Sequence, residues 1–302
     1  MIHFMHTKKR LLPLLLILAI LTSCTKKNAV PQRDLSQTVQ IAVTFYPLYI
    51  MCMNIVKDVP NVELVLLAPP DTGCLHDYVL TTNDMRAIEQ CNILVANGAG
   101  MESFLDKAIA LKQNATITAS EAFPLIDENP HVWVSVRGAR HEVQKIADSL
   151  ILLDSAHAAQ YAANAAAYDA KLSALEQEMH NTLAQYSGSS IITFHEAFPY
   201  FAQEFGFTVA SVVEREPGTA PSAKELAELI AEIAAVKKLG KKITLYAETQ
   251  YSSQAADIIA KETGLAVYML DPCVTGALHE DAYIDAQKNN LRTLVESLGD
   301  NR

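Results

Sequence analysis

The chain has 302 residues and a formal net charge of −10 at pH 7. Removing residues 1–23, which carry three basic and no acidic residues, would change this charge to −13. An acidic surface argues against nucleic acid as a partner, because nucleic-acid binding needs basic patches, and it is compatible with attracting cations. The alternative is that the negative charge serves only to keep the protein soluble.

The N-terminus predicts export and lipid anchoring. The basic run Lys8-Lys9-Arg10 precedes an apolar stretch over residues 11–21, which has the length of a signal-peptide core and is too short to span a bilayer. It ends in Leu21-Thr22-Ser23-Cys24, which resembles the lipobox of bacterial lipoproteins and predicts cleavage after residue 23 and lipidation of the Cys24 thiol. An ordinary secretory signal followed by a coincidental cysteine is the alternative. Residues 24–38 are polar and are expected to form a flexible tether.

The first half of the remaining chain alternates short apolar strands with helices. The predicted strands are Val39–Thr44, Val62–Leu67, Ile93–Ala96 and Ala115–Thr118, and the predicted helices are Pro47–Val56, Asn83–Glu89 and Glu102–Lys112. Thr82 is the expected cap of the second helix. Because strands separated by helices form parallel sheets covered on both faces, we expect an N-terminal α/β lobe over residues 39–153.

A long helix is predicted in the middle of the chain. Asp154–Ala184 is rich in Ala, Glu, Gln and Leu and contains no Gly or Pro. One helix of this length would run about 45 Å and would join two lobes as a stiff backbone over residues 154–186. Two helices with a tight turn are the alternative.

The second half repeats the pattern. The predicted strands are Ser190–Phe194, Thr208–Val213, Ile243–Ala247 and Ala266–Leu270, and the predicted helices are Tyr200–Phe205, Ser222 to about Leu239, Ser253–Thr263 and Ala282–Leu298. Ser222 and Glu225 have the spacing of a capping box. About 265 residues after the tether are enough for two domains, so the fold class is α/β with a C-terminal lobe over residues 187–302.

Three separated histidines, His76, His131 and His195, are the candidate metal ligands, with Asp281 as a fourth. Imidazoles with a carboxylate suit a borderline divalent cation, zinc first. Each candidate follows a strand or lies in a loop, and ligands of open α/β sheets bind outside the carboxyl ends of the strands. We therefore expect a cation in the cleft between the lobes.

Several other residues are candidates for supporting roles. Glu248 follows a predicted strand and is a possible outer-shell partner, as is Glu196, whose carboxylate is otherwise at the surface. Tyr78 and Trp133 are expected to pack so that they orient the adjacent histidines. His279 is an alternative to Asp281.

Four cysteines remain beyond Cys24, at Cys52, Cys74, Cys91 and Cys273, without the C-x-x-C spacing of a zinc ribbon or redox motif. The exported compartment permits disulfides, but four cysteines allow three pairings. Cys52 and Cys91 lie in apolar runs and are expected to be buried. Cys74 is two residues before His76 and is an alternative metal ligand.

Five segments together resemble the zinc- and manganese-specific solute-binding lipoproteins of bacterial ABC transporters, from about Val39 to Leu298. The segments are Thr44-Phe45-Tyr46-Pro47-Leu48-Tyr49, His76-Asp77-Tyr78, Asn129-Pro130-His131-Val132-Trp133, Thr193-Phe194-His195-Glu196-Ala197-Phe198-Pro199-Tyr200-Phe201, and Asp281-Ala282-Tyr283 with Asn290-Leu291. Any one of them would be weak evidence, whereas their order and spacing together are strong.

The resemblance implies two lobes bridged by a long helix, with the metal in the cleft and little hinge closure. It implies that His76, His131, His195 and Asp281 bind the metal. It also implies a monomer that is lipid-anchored outside the cytoplasm, on the cell surface or in the periplasm, and that delivers metal to an ABC-transporter permease.

This chain departs from the family pattern at three places. Asn129 stands where the family has Asp before Pro-His, and Leu75 stands where a polar or acidic residue is frequent. Both positions lie next to a predicted ligand, so both changes bear on how that ligand is oriented and how strongly it binds the metal. Residues 114–129 also lack the His-rich loop of many zinc-specific members.

The choice of metal depends on His195, since manganese-specific members of the family tend to have a carboxylate there. Three imidazoles and at most one carboxylate favour Zn(II) over the harder Mn(II), although manganese or iron transport remains an alternative. A zinc hydrolase is a distant alternative, because three histidines and an open position also describe catalytic zinc. The chain has no H-E-x-x-H motif, and a ligating Asp281 would exclude catalytic water. A surface adhesin is a third class that no sequence feature supports.

Overall fold

A computed structural model describes Met1 and residues 38–75, 78–105, 115–213, 222–238, 243–248 and 253–299. Apart from Met1 and Thr38, the predicted signal peptide and tether lie outside these residues, as do His76 and Asp77. None of the described helices combines the length and the apolar character needed to cross a bilayer.

The first sheet has four parallel strands in the order β2-β1-β3-β4. The strands are β1 (Val39–Val43), β2 (Val62–Leu66), β3 (Ile93–Ala96) and β4 (Ala115–Thr118). Each matches its predicted strand to within one residue. The central strands β1 and β3 are almost entirely buried, as expected for a parallel sheet that is covered on both faces.

Two helices, α1 (Tyr46–Ile55) and α2 (Thr82–Gln90), follow strands of this sheet. The predicted cap of α2 is wrong by one residue, because the hydroxyl of Thr81 accepts from the backbone N–H of Asp84 while the Asp84 carboxylate accepts from Thr81 N–H. The predicted helix Glu102–Lys112 is described only in its first part. That part is a 3₁₀ turn over Ser103–Leu105.

In sequence order, two long helices come after the strands of the first sheet and before those of the second. They are α3 (Val136–Leu153) and α4 (Ala158–Leu183). α4 runs unbroken for 26 residues and is flanked by 3₁₀ turns at Ser155–His157 and Ala184–Tyr186. Its buried side chains recur every three or four residues, at Tyr161, Ala165, Tyr168, Leu172, Leu175, Met179 and Leu183. This spacing gives one apolar stripe, which packs against α1, α3 and α8 (Ala282–Gly299).

The second sheet repeats the topology of the first, with four parallel strands in the order β6-β5-β7-β8. The strands are β5 (Ser190–Thr193), β6 (Thr208–Val212), β7 (Ile243–Ala247) and β8 (Val267–Met269). The remaining helices are α5 (Pro199–Phe205), α6 (Ala223–Lys238) and α7 (Ser253–Thr263). The predicted Ser222–Glu225 capping box at the start of α6 is present.

The predicted fold class is therefore confirmed: two parallel sheets, each flanked by helices, lie in the two halves of the chain. The largest apolar core includes side chains from both halves, such as Val43, Trp133, Leu172, Ile191 and Leu294. The lobe limits at residues 39–153, 154–186 and 187–302 stay a prediction.

Candidate metal centre

His131 lies in a tight turn between the loop Asn129-Pro130 and the 3₁₀ turn Val132–Val134, which leads into α3. Its side chain is only 2% exposed. Asn129 Oδ1 accepts a hydrogen bond from His131 N at 2.9 Å and lies 3.0 Å from His131 Nδ1. An imidazole that donates from Nδ1 to Asn129 keeps the lone pair of Nε2 for a metal.

The same asparagine connects this loop to the second half of the chain. Asn129 Nδ2 donates to the backbone oxygen of Glu196 at 2.7 Å. Tyr200, in α5, donates from its hydroxyl to Asn129 O at 2.6 Å and accepts from Ile126 N at 3.1 Å. These three hydrogen bonds fix the His131 loop directly against the segment that carries His195.

Trp133 anchors the turn on its other side. Its ring is fully buried and lies 5.2 Å from the His131 ring between centroids. Trp133 Nε1 donates to Pro272 O at 2.9 Å, and Trp133 O accepts from the Tyr283 hydroxyl at 2.8 Å. The packing predicted for Trp133 is thus present, and it positions His131 relative to β8 and α8.

His195 and Glu248 are neighbours because of the strand register. Thr193 is paired with Tyr246 across β5 and β7, so the two residues that come two positions later, His195 and Glu248, leave the same edge of the sheet side by side. Both side chains are 2% exposed. Glu248 Oε1 accepts from His195 N at 3.2 Å, and Glu248 Oε2 lies 3.6 Å from His195 Nδ1.

Burial raises the pKa of the Glu248 carboxyl, and the hydrogen bonds and charge of His195 act in the opposite direction. A carboxylate at Nδ1 of a histidine orients the ring and favours binding of a metal through Nε2. The structure places Glu248 beside His195, and its role as a partner that orients this ligand stays a prediction.

The two histidines from opposite halves of the chain meet edge to face. Their ring centroids are 4.6 Å apart and their planes are inclined at 87°. Cys74 Sγ lies 3.7 Å from His131 Nε2. One ligand atom from each of Cys74, His131 and His195 lies within 4.8 Å of the others, which is close enough for a single cation to contact all three.

The first predicted ligand, His76, lies outside the described residues, but its flanks are described. Leu75 is fully buried. Tyr78 donates from its hydroxyl to Asp84 Oδ2 at 2.8 Å, and its ring packs edge-on against Phe104. Burial, helped by the Asp84 hydrogen bond and charge, raises the pKa of Tyr78 to about 12. Tyr78 thus ties the loop after His76 to α2.

The structure does not bring Asp281 into the group formed by Cys74, His131 and His195. Its side chain is half exposed, and Asp281 Oδ1 pairs with Lys171 Nζ on α4 at 2.7 Å. His279, which the sequence offers as an alternative to Asp281, is exposed and also lies outside the group. Glu196 contributes its backbone oxygen to Asn129, while its side chain is exposed. The role of Asp281 as a ligand stays a prediction.

A second group of potential ligands, Glu176, His180 and Glu204, lies between α4 and α5. Glu176 already pairs with Arg140 at 2.6 Å, and Glu204 accepts from the backbone of Arg137 at 3.2 and 3.3 Å. His180 is nearly half exposed. Because its carboxylates are engaged and its imidazole faces solvent, this group is the weaker candidate.

The sequence did not reveal two contributors to the site. Asn129 donates a hydrogen bond to Glu196 in the other half of the chain, and the Tyr200 hydroxyl makes two hydrogen bonds, to Asn129 and Ile126. These bonds join residues about 70 positions apart, and no local sequence pattern predicts such pairs. The departure from Asp at position 129 was the available signal, since only the amide can donate to Glu196 O.

The chain is similar in sequence to known zinc-uptake proteins. A model of the family described as "ZnuA: Zinc-uptake complex component A periplasmic" matches residues 41–297. The high-affinity zinc uptake system protein ZnuA of Bacillus subtilis (strain 168) is 29% identical over 94% of this chain and 94% of the relative. The zinc-binding lipoprotein AdcA of Streptococcus pneumoniae is 28% identical over 88% of this chain, which spans only 57% of that relative.

Solved structures agree with these sequence comparisons. The solute-binding protein FpvC from Pseudomonas aeruginosa, in complex with Mn²⁺, superposes with a TM-score of 0.78 and 29% identity, over 88% of this chain and all of FpvC. Fold and site together define a two-lobed, metal-binding member of the solute-binding proteins. Within this class the chain belongs to the ZnuA family of zinc-uptake complex components, so the predicted resemblance is confirmed. The family supplies binding components, and the chain is not an enzyme.

Proposed function

We propose that this chain captures Zn(II) outside the cytoplasm and delivers it to the permease of an ABC transporter. The observation that carries the proposal is the buried meeting of His131 and His195, which come from opposite halves of the chain and whose rings are 4.6 Å apart. Each imidazole has a partner beside its Nδ1 atom, Asn129 or Glu248, and this arrangement favours Nε2 as the metal-binding nitrogen. The names of the zinc-uptake and zinc-binding relatives support the same cargo.

His76 is proposed as a third imidazole ligand, because it stands one residue after the buried Leu75 and two after Cys74. Asp281 is the fourth ligand that the family resemblance implies, but in the structure it is paired with Lys171 and would have to leave this partner to reach the metal. Glu248 and Asn129 orient ligands, and Tyr78 holds the His76 loop.

Imidazole nitrogen favours zinc over manganese, and zinc also stands above manganese in the general affinity order. Manganese is the second candidate cargo, because the similar solute-binding protein FpvC was solved with Mn²⁺. The chemistry is capture and release, since only coordination bonds change and the cargo leaves as the same ion that was bound. Neutral imidazoles must bind, so affinity for zinc is expected to fall as the pH drops through the range where imidazoles take up protons.

Anchoring completes the proposed function. Lipidation of Cys24, with residues 24–38 as a tether, would hold the monomeric chain at the outer face of a membrane next to its permease. The name of the lipoprotein AdcA supports such an anchor. The net charge of −10 suits a cation cargo and disfavours nucleic acid.

Uptake of radioactive zinc in the native host tests the proposal. Deleting the gene should slow zinc uptake and growth in chelator-treated medium, and the wild-type gene should restore both. A gene with His131→Ala and His195→Ala should restore neither, although the protein is present at normal abundance. Restoration by the double variant would contradict zinc delivery through this site.

A further inference from the structure

Cys74 places a thiol where the proposed cargo would bind. The residue lies in the loop after β2, directly after Gly73, whose φ of 84° turns the chain, and directly before the buried Leu75. Cys74 is half-buried, and its Sγ is 3.7 Å from His131 Nε2. With Asn129 at Nδ1, Nε2 is the nitrogen of this ring that is positioned to bind a metal. The thiol and this nitrogen are therefore close enough to bind one metal ion.

The distance agrees with shared coordination of zinc. Zinc binds thiolate sulfur at about 2.3 Å and histidine nitrogen at about 2.0–2.1 Å, almost always in a tetrahedron. Two such ligands are then roughly 3.6 Å apart. The 3.7 Å between Cys74 Sγ and His131 Nε2 needs almost no adjustment to reach this value. His195 lies within 4.8 Å of both, so the third ligand is also at hand.

The other cysteines of the described chain do not compete for this role. Cys52, Cys91 and Cys273 are at most 2% exposed and pack in the apolar cores. Asp281, the carboxylate predicted for the fourth position, is paired with Lys171 and half exposed. Of these candidates, Cys74 alone lies in one group with both described histidines.

We propose that Cys74 is a direct ligand of the transported zinc, together with His131 and His195, and that its thiolate strengthens the preference for zinc over manganese. This inference rests on the proposed function. In this arrangement Asp281 stays paired with Lys171. On binding, the S–H bond of Cys74 breaks and its proton passes to water, while a zinc–sulfur bond replaces one bond between zinc and a bound water, which is released. Soft thiolate selects zinc, whereas manganese prefers oxygen ligands.

X-ray absorption at the zinc K-edge of the zinc-loaded, full chain tests the inference directly. We expect one sulfur at about 2.3 Å besides nitrogen ligands at about 2.0–2.1 Å. The sulfur should be missing in Cys74→Ser and present in Cys91→Ala, which removes a thiol from the core beside α2. A wild-type spectrum with nitrogen and oxygen ligands only would overturn the inference.

Chelator competition gives the second readout. Losing an outer partner of a ligand typically costs 10–100-fold in metal affinity, so Cys74→Ser should weaken zinc by at least about tenfold and manganese by less. Cys91→Ala should leave zinc affinity unchanged. Zinc affinity that is unchanged in Cys74→Ser but greatly reduced in Asp281→Asn would assign the fourth position to Asp281 and overturn the inference while leaving the proposed function intact. A wild-type chain that binds no zinc would contradict the proposed function itself.

Discussion

Asn129 contacts both halves of the candidate metal centre. Its Oδ1 atom accepts from the backbone and faces the ring of His131, and its Nδ2 atom donates to Glu196 O, one residue after His195. An aspartate in its place could accept from His131 but could not donate to Glu196. The amide therefore combines the orientation of one ligand with a direct link to the segment of the other.

Substitutions at Asn129 separate these two roles. Asn129→Ala removes both and is expected to weaken zinc binding by about 10–100-fold, because outer partners of ligands typically contribute this much. Asn129→Asp keeps the acceptor for His131 and should retain most of the affinity, while the lost donor and a carboxylate beside Glu196 O should lower stability. Isothermal titration with zinc and thermal melts would measure both effects. Equal zinc affinities of the alanine variant and the wild type would show that Asn129 does not orient His131.

The sequence predicted some residues of the site better than others. The local contexts of His131 and His195 predicted two imidazoles that the structure brings together. Glu248 was visible as the residue after a strand, and the β5–β7 register explains its contact with His195. The pairing of Asp281 with Lys171 joins residues 110 positions apart and depends on how α4 passes the start of α8, which no local pattern specifies.

At the scale of elements, short apolar strands were predicted well because a parallel strand buried on both faces is a compact run of Val, Ile, Leu and Ala. Ile93–Ala96 and Ile243–Ala247 have the predicted bounds. The cap of α2 was less predictable, since Thr81 and Thr82 are chemically identical neighbours and only the backbone conformation decides between them. Residues 103–105 likewise have a helix-like composition but form a 3₁₀ turn.

The turn that carries His131 is packed tightly on the first turn of α3 through Gly138. A Cβ atom at this position would lie 2.0 Å from Val132 O and 2.7 Å from Ser135 Oγ. The first of these is a backbone atom of the residue after His131, so the turn itself would have to move. The close approach of α3 and the ligand turn therefore requires glycine.

Gly138→Ala is expected to lower the free energy of unfolding by about 1–3 kcal/mol, the typical cost of overpacking, and to weaken zinc binding because His131 is displaced. Gly299→Ala is the matched control, since a Cβ there meets only Tyr186 Oη at 3.6 Å and lies at the end of α8. Urea titrations and zinc titrations of both variants would measure these effects. If Gly138→Ala bound zinc like the control, the link between this helix turn and the ligand would be disproved.

At the scale of the whole molecule, several buried carboxyl groups oppose folding at neutral pH. Glu142 is fully buried, and burial raises its pKa well above the usual range, with the Glu102 charge acting in the same direction. Burial also raises the pKa of Glu204 to about 7, although the Arg137 backbone N–H partly offsets this effect. A carboxyl whose pKa is raised in the folded chain stabilises the fold at low pH, and this contribution is lost as the pH rises through the folded pKa.

Glu204→Gln tests this account, because the amide cannot ionise. The variant should match the wild type below about pH 4.5, gain stability relative to the wild type as the pH rises from about 4.5 to 7, and keep a constant advantage of roughly 3 kcal/mol at most above that range. Denaturant titrations of the metal-stripped chain between pH 5 and 8 would measure the difference. The exposed Glu232→Gln should show no such trend. A difference for Glu204→Gln that does not change with pH would refute the assignment.

The two halves of the chain meet in a continuous core rather than across a flexible linker. α4 and α8 pack against each other, and Tyr283 and Gln287 of α8 bind the backbone of the turn that carries His131. Such a frame fits capture of a small cation at a preformed site better than closure around a large ligand.

The metal content of the purified chain tests the central claim most directly. The stripped protein would be exposed to equimolar manganese, iron and zinc, desalted and analysed by inductively coupled plasma mass spectrometry, with His195→Ala as the matched variant. The account predicts about one zinc per wild-type chain and little in the variant. Retention of no metal, or of manganese in preference to zinc, would contradict it.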